Sequence, residues 1–211
     1  MRLRDRLKLY VITDRRLKDE VESVREALRG GATAIQLRIK DAPSIEMYEV
    51  GKKIRRLTRD YDALYIVDDR LDIALAVDAD GVQLGPEDLP IDVARELAPE
   101  LIIGASVYSL EEALQAVELG ADYLGAGSVY PSPSKPDARV LGLEGLRRIV
   151  SKVSIPVVAI GGINHGNVEE VLRTGVDGIA VISAVMGADD VYMATYRLRE
   201  IIDRVFSGVE G

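Results

Sequence analysis

The chain has 211 residues, 47% hydrophobic and 29% charged, with a formal net charge of −8. This predicts one well-cored soluble domain spanning 1–211, and it excludes a general nucleic-acid binder, which needs a basic surface to displace counterions. The absence of cysteine excludes disulfides, thiolate nucleophiles and Cys-based metal sites, and no apolar run reaches the length of a bilayer span.

The basic start Met1-Arg2-Leu3-Arg4-Asp5-Arg6 leads into no long apolar stretch or cleavage site, so it does not read as a secretory signal. The expectation is a cytoplasmic protein without nucleic-acid or membrane partners. Any anionic ligand must then be held by a local cluster of cations.

Strand-length apolar runs recur at Leu7–Thr13, Ala34–Lys40, Ala63–Asp69, Gly81–Gly85, Leu101–Val107, Tyr123–Tyr130, Ile155–Gly161 and Gly178–Ser183. Most are near-continuous in Val, Ile, Leu and Ala, as in parallel strands buried on both faces. Segments of helical period lie between them. Val21–Arg29 places Val21, Val24 and Leu28 on one face, and Leu110–Leu119 does the same with Leu110, Leu114 and Val117. Val168–Thr174 and Val191–Phe206 follow.

Gly31-Ala32-Thr33, Gly120-Ala121-Asp122 and Gly175-Val176-Asp177 each lead from a helix into a strand, and Asp78-Ala79-Asp80-Gly81 is a looser version. Glycine there suits a left-handed helix C-cap before a short turn. This repeated unit predicts an α/β fold, a single (β/α)8 TIM barrel. A doubly wound sheet would place a glycine-rich turn after the first strand, where Thr13-Asp14-Arg15-Arg16 has no glycine.

In a barrel the active site lies where strands end and βα loops begin. Residues two apart on a strand share a face, so Gln36, Arg38 and Lys40 point one way, and such cations are costly at a barrel rim unless they meet an anion. Asp68, Asp69 and Asp88 end the next two strands or follow them, and carboxylates there could converge on Mg²⁺. Helix capping is the competing reading for an aspartate after a strand.

The loop Tyr130–Arg139 is longer than usual for a βα connection. It carries Ser132, Ser134 and Lys135 among prolines, which suits a lid with phosphate-binding groups. The turns at Gly161-Gly162 and Ile182-Ser183 end the last two strands, the recurrent phosphate site of barrel enzymes. His165 reads as a solvated helix-start residue behind an N-capping Asn164, and Tyr192 and Tyr196 as packing or solvent-facing residues.

Taken together, these pieces resemble the thiamine phosphate synthase family. The matching segments are Gln36–Asp41, Asp69–Asp72, Asp80–Asp88, Ile103–Ser106, Gly127–Asp137, Ala159–Asn164 and Val181–Ala184, in family order over nearly the whole chain. The resemblance implies a transferase that joins hydroxymethylpyrimidine pyrophosphate to a thiazole phosphate, releasing pyrophosphate in a Mg²⁺-assisted dissociative substitution.

By the same resemblance, Gln36 would meet the pyrimidine and Ser106 would sit beside it near the reacting carbon. Arg38, Lys40 and Lys135 would hold the pyrophosphate, and Asp69 and Asp88 the Mg²⁺. Ser132, Ser134 and the backbone at Gly162, Ile182 and Ser183 would hold the thiazole phosphate. Arg38, Lys40, Ser106 and Lys135 are thus the expected catalytic set.

The chain departs from the family pattern in places. Asp68 stands where the family usually has Asn, either as a further magnesium ligand or as a sign of altered activity. Serines replace threonines at 132 and 134, and Gln83, Pro86 and Tyr108 replace a commoner His, Gln and His.

Three other readings compete. A thiazole tautomerase-like isomerase would want a histidine where Tyr108 stands and would show a degraded Gln36–Lys40 motif. A metal-dependent phosphosugar epimerase would want His ligands. A non-catalytic sensor of thiamine intermediates would not need the acidic and basic rim residues. Oligomeric state is left open, and a homo-oligomer is compatible with the chain.

Overall fold

Eight parallel strands pair in chain order, and the last pairs with the first. The computed structural model describes residues 2–132 and 139–208. The chain begins with α1 (Leu3–Arg6), β1 (Leu9–Ile12), α2 (Glu20–Arg29), β2 (Ala34–Leu37), α3 (Ser44–Asp60), β3 (Leu64–Asp68), α4 (Leu71–Ala76), β4 (Gly81–Leu84) and α5 (Ile91–Leu97). It continues with β5 (Ile102–Val107), α6 (Leu110–Glu118), β6 (Tyr123–Ala126), α7 (Gly142–Val150), β7 (Val157–Ile160), α8 (Val168–Leu172), β8 (Gly178–Val181), α9 (Ser183–Met186) and α10 (Val191–Phe206). This is the (β/α)8 TIM barrel.

Every anticipated apolar run contains one of these strands, trimmed at its ends. Alternation divides the strand side chains between two cores. Tyr10, Ile12, Leu64, Ile66, Tyr123 and Val158 fill the barrel interior. Leu9, Val11, Ile35, Leu37, Tyr65 and Val67 face the surrounding helices.

The αβ joints repeat a device at the N-terminal ends of the strands. Gly31, Gly120 and Gly175 take φ of +100°, +97° and +93°, and Asp78 fills the same role at +58°. Two residues later, a side-chain oxygen accepts a backbone N–H from the preceding strand. Thr33 Oγ1 takes Leu9 N at 3.0 Å, Asp80 Oδ2 takes Tyr65 N at 2.8 Å, Asp122 Oδ2 takes Ile103 N at 2.8 Å and Asp177 Oδ2 takes Val157 N at 2.8 Å. Arg55, Arg95 and Arg4 pair with the three carboxylates. The motif therefore stitches strand to strand as well as capping the helix.

The helices bring corrections. On α6 the buried residues are Ala113 and Ala116, whereas Leu114, expected on the buried face, is 46% exposed. Small alanines let this helix lie close to the sheet, and Leu110 and Val117 only flank the seam. Asn164 does not cap α8. The N-cap is Asn167, and Asn164 Oδ1 instead accepts Gly166 N across a turn, at 2.8 Å. The long α3 buries Met47, Gly51, Ile54 and Thr58 at helical spacing. A Cβ at Gly51 would press on Val77 and on the Tyr65 hydroxyl, so glycine sets how close α3 can approach β3.

Candidate active site

At the C-terminal ends of the strands, two adjoining cavities share Ser106, Tyr108, Gly125, Ile160, Ala180 and Ile182. The first is lined by Gln36, Arg38 and Lys40 from β2 and its extension, with Asp68, Asp69, Gln83 and Asp88. Hydrogen bonding assigned to β2 stops at Leu37, yet the alternation continues. Ile39 is buried in the outer core while Arg38 and Lys40 turn to the cavity. Thr13 supports this extension, its hydroxyl accepting Arg38 N at 3.0 Å.

The rim cations and carboxylates meet. Lys40 Nζ lies 3.2 Å from Asp68 Oδ2 and also bonds Asp69, and Arg38 Nε lies 3.8 Å from Asp68. Asp69 has a φ of +62°, a left-handed conformation that is strained for a side-chain-bearing residue. It is this turn that presents two successive carboxylates to one ammonium. Asp88 Oδ2 accepts Gly85 N at 2.6 Å, and its carboxyl group lines the same cavity as that of Asp69.

Neither Asp69 nor Asp88 is a helix cap, since α4 and α5 are preceded by Arg70 and Pro90 without side-chain caps. The capping alternative is therefore set aside. Among the described residues no group of three or more His, Cys, Asp or Glu gathers as a metal cluster. The candidate donors are this carboxylate pair.

Charge is tuned across the rim. Burial, reinforced by the neighbouring Asp69, raises Asp68 to about 6 against the pull of Lys40 and Arg38. Burial would raise Asp69 too, but the bond and the charge of Lys40, together with the neighbouring Asp88 and Asp68, outweigh it and hold that carboxyl below its usual range. Burial raises Asp88, partly offset by the Gly85 N–H. Burial would lower Lys40, but Asp68 and Asp69 hold it above its ordinary value.

The second cavity is lined by Ser128, Ser132, Gly161, Gly162, Ile182 and Ser183, among others. Gly161 and Gly162 have φ of +102° and +67°. A Cβ on Gly161 would overlap Ser128, and one on Gly162 would press on Tyr130 and Pro131. The glycine pair thus also serves packing against the loop after β6, beyond the anion approach expected of it. Ser134 and Lys135 lie outside the described residues. His165 sits away from both cavities, with Nε2 2.8 Å from the Ala194 carbonyl. Tyr192 and Tyr196 stack on each other at 6.1 Å, and Tyr196 is exposed.

Three residues at or beneath the first cavity escaped the sequence reading as functional candidates. Tyr10, Tyr123 and Gln83 join Gln36 to Ser106 by hydrogen bonds through the barrel interior. Their signal was inward register on strands that otherwise carry apolar residues, together with the departure already noted at Gln83.

Comparison with known proteins agrees with this geometry. The family described as thiamine monophosphate synthase (TMP-TENI) matches residues 9–185. A thiamine-phosphate synthase of Pyrococcus furiosus is 75% identical over 205 residues, covering 97% of this chain and 99% of that protein. One from Pyrococcus abyssi is 73% identical over 205 residues with the same coverage, 97% and 99%. The solved structure of a thiamine phosphate pyrophosphorylase from Pyrococcus furiosus superposes with a TM-score of 0.94 at 74% identity, covering 97% of this chain and 99% of that one. This chain belongs to the thiamine monophosphate synthase family.

Proposed function

We infer that the chain is a transferase of thiamine biosynthesis that condenses hydroxymethylpyrimidine pyrophosphate with a thiazole phosphate. The C–O bond to pyrophosphate breaks, a C–N bond to the thiazole nitrogen forms, and thiamine phosphate and pyrophosphate leave. The observation that carries this reading is the pair of adjoining cavities sharing Ser106, one with a cationic and acidic rim and one walled by glycine and serine. Two phosphorylated reactants need two anion sites facing a common centre.

Within the first cavity, Gln36 and Ser106 would hold the pyrimidine, while Arg38, Lys40 and Lys135 hold the pyrophosphate. Asp69 and Asp88 offer hard oxygen donors beside these cations, which fits Mg²⁺, an ion held by one or two carboxylates and completed by substrate phosphates and water. When bound, the ion would supply charge neutralisation on the leaving group. Asp68 would pair with Arg38 and Lys40 until the pyrophosphate takes its place, rather than act as a further metal ligand. In the second cavity, Ser132, Ser134 and the backbone at Gly162, Ile182 and Ser183 would hold the thiazole phosphate.

Holding both reactants together lowers the entropic part of the barrier. Cations aimed at the departing oxygen stabilise charge as it develops. The barrel acts as one catalytic domain over 1–211, in the cytoplasm. Among the described residues, no helix is long and apolar enough to cross a membrane.

The test is to incubate the protein with both substrates and Mg²⁺ and to quantify products. Equal amounts of thiamine phosphate and pyrophosphate are expected. Folded protein that forms neither contradicts the reading.

A further inference from the structure

Beneath the first cavity runs an unbroken hydrogen-bonded chain from Gln36 to Ser106. Gln36 Nε2 donates to the Tyr10 hydroxyl at 2.9 Å. The Tyr10 and Tyr123 hydroxyls are 3.0 Å apart. Tyr123 donates to Gln83 Oε1 at 2.5 Å, and Gln83 Nε2 donates to Ser106 Oγ at 3.1 Å. All three connecting residues are buried, at 2%, 0% and 7% exposure for Tyr10, Tyr123 and Gln83.

Each phenol has one proton to give. Tyr123 gives its proton to Gln83, so between the two tyrosines Tyr10 must donate and Tyr123 accept. Tyr10 then has only its oxygen to offer Gln36, which matches the amide as placed. Burial pushes both phenols well above their ordinary range, so neither loses the proton that this order depends on.

The ends of the chain follow from its direction. Gln36 turns its amide nitrogen inward, giving one of its two N–H groups to Tyr10, and its Oε1 has no partner among the described residues. Ser106 Oγ accepts from Gln83, so its own proton is left for the cavity. Reversing the chain requires the amides of Gln36 and Gln83 to turn over together, against their placement here. A mixed state would set two donors or two acceptors against each other inside the barrel and leave a buried polar group unmet.

Two glycines make room for the arrangement. A Cβ at Gly104 would overlap both Gln83 Oε1 and the Tyr123 ring, and one at Gly125 would come within 3.1 Å of Gln83 Nε2.

We propose that Tyr10, Tyr123 and Gln83 are positioning residues that set the polarity of the pyrimidine site, so that Gln36 presents an acceptor and Ser106 a donor. Such a site selects a ring bearing an exocyclic amino group and a ring-nitrogen acceptor. It rejects a ring in which oxygen replaces the amino group, because two acceptors would then meet at Gln36 Oε1. This deepens the synthase reading and rests on it.

Binding tests the proposal apart from turnover. Calorimetry would compare the aminopyrimidine pyrophosphate with its oxo analogue, for the wild type and for Tyr123→Phe, Tyr10→Phe and Gln83→Met. The thiazole phosphate, titrated separately, is the control for general damage. The wild type should prefer the amino compound by about 10²-fold or more, because a site built around hydrogen bonds penalises an analogue that cannot make them. Each variant should lose about tenfold of that preference, the worth of one net hydrogen bond, with affinity for the thiazole phosphate unchanged.

Three results overturn the chain: no preference in the wild type, a wild-type preference in the folded variants, or an equal loss for both substrates. If Tyr123→Phe fails to fold, Tyr10→Phe and Gln83→Met cut the same chain at other points and decide it. Selective binding without turnover would overturn the synthase reading and leave the chain standing.

Discussion

Asp68 is the residue on which the rim's electrostatics turn. It is mostly buried and pushed up to about 6, yet it pairs with both Arg38 and Lys40. Those are the two described cations expected to receive the pyrophosphate, so the carboxylate competes with the ligand for them. Asp68→Asn removes the competitor while keeping the shape. It should lower KM for the pyrimidine pyrophosphate by up to about fivefold, the equivalent of roughly 1 kcal/mol, and steady-state kinetics with an unchanged or higher KM would contradict this. Asp69→Ala is the opposite case. It removes one of the two proposed metal ligands and a partner of Lys40, and should cut kcat by about 10²-fold or more, the scale of losing one transition-state electrostatic contact. Circular dichroism should show the fold intact, and near wild-type turnover would refute the role.

At the scale of elements, the αβ joint shows what glycine and aspartate contribute at the foot of the barrel. Asp122 Oδ2 takes both the Ile103 N–H and the Arg95 guanidinium. Asp122→Ala leaves a backbone donor unmet and should destabilise the fold by about 1–3 kcal/mol, while kcat and KM of the folded fraction stay put because the active site is at the other end. Thermal unfolding together with kinetics checks both halves.

The α6 face was misread for a physical reason. Periodicity alone allots the buried stripe to the larger apolar residues, but the close approach to the sheet is made by Ala113 and Ala116. Leu114→Ala should therefore change stability by no more than about 0.5 kcal/mol, whereas Ala113→Leu should cost about 1–3 kcal/mol through overpacking. Denaturant midpoints that rank the two the other way would contradict the packing seen.

For the molecule as a whole, the barrel was legible because strands buried on both faces read as apolar runs, and because the joints repeat in chain order. Gln36, Arg38 and Lys40 were legible because strand alternation continues past the last paired residue. The Tyr10–Tyr123–Gln83 chain was not, since Tyr10 and Tyr123 pass for core residues in apolar runs until β1, β4 and β6 curve around and bring their polar ends together. The loop positions Ser134 and Lys135 were marked by composition and by the family resemblance, and they lie outside the described residues.

The closed barrel unites groups from β2, β3, β4 and β5 around one cavity and from β6, β7 and β8 around its neighbour. The central claim is that these are two anion sites serving one reaction centre. A crystal structure with thiamine phosphate, pyrophosphate and Mg²⁺ bound tests it most directly. The diphosphate should lie against Arg38 and Lys40, the monophosphate against Gly162 and Ser183, and the pyrimidine between Gln36 and Ser106. Both anions in one cavity, or a pyrimidine away from Gln36 and Ser106, would contradict it.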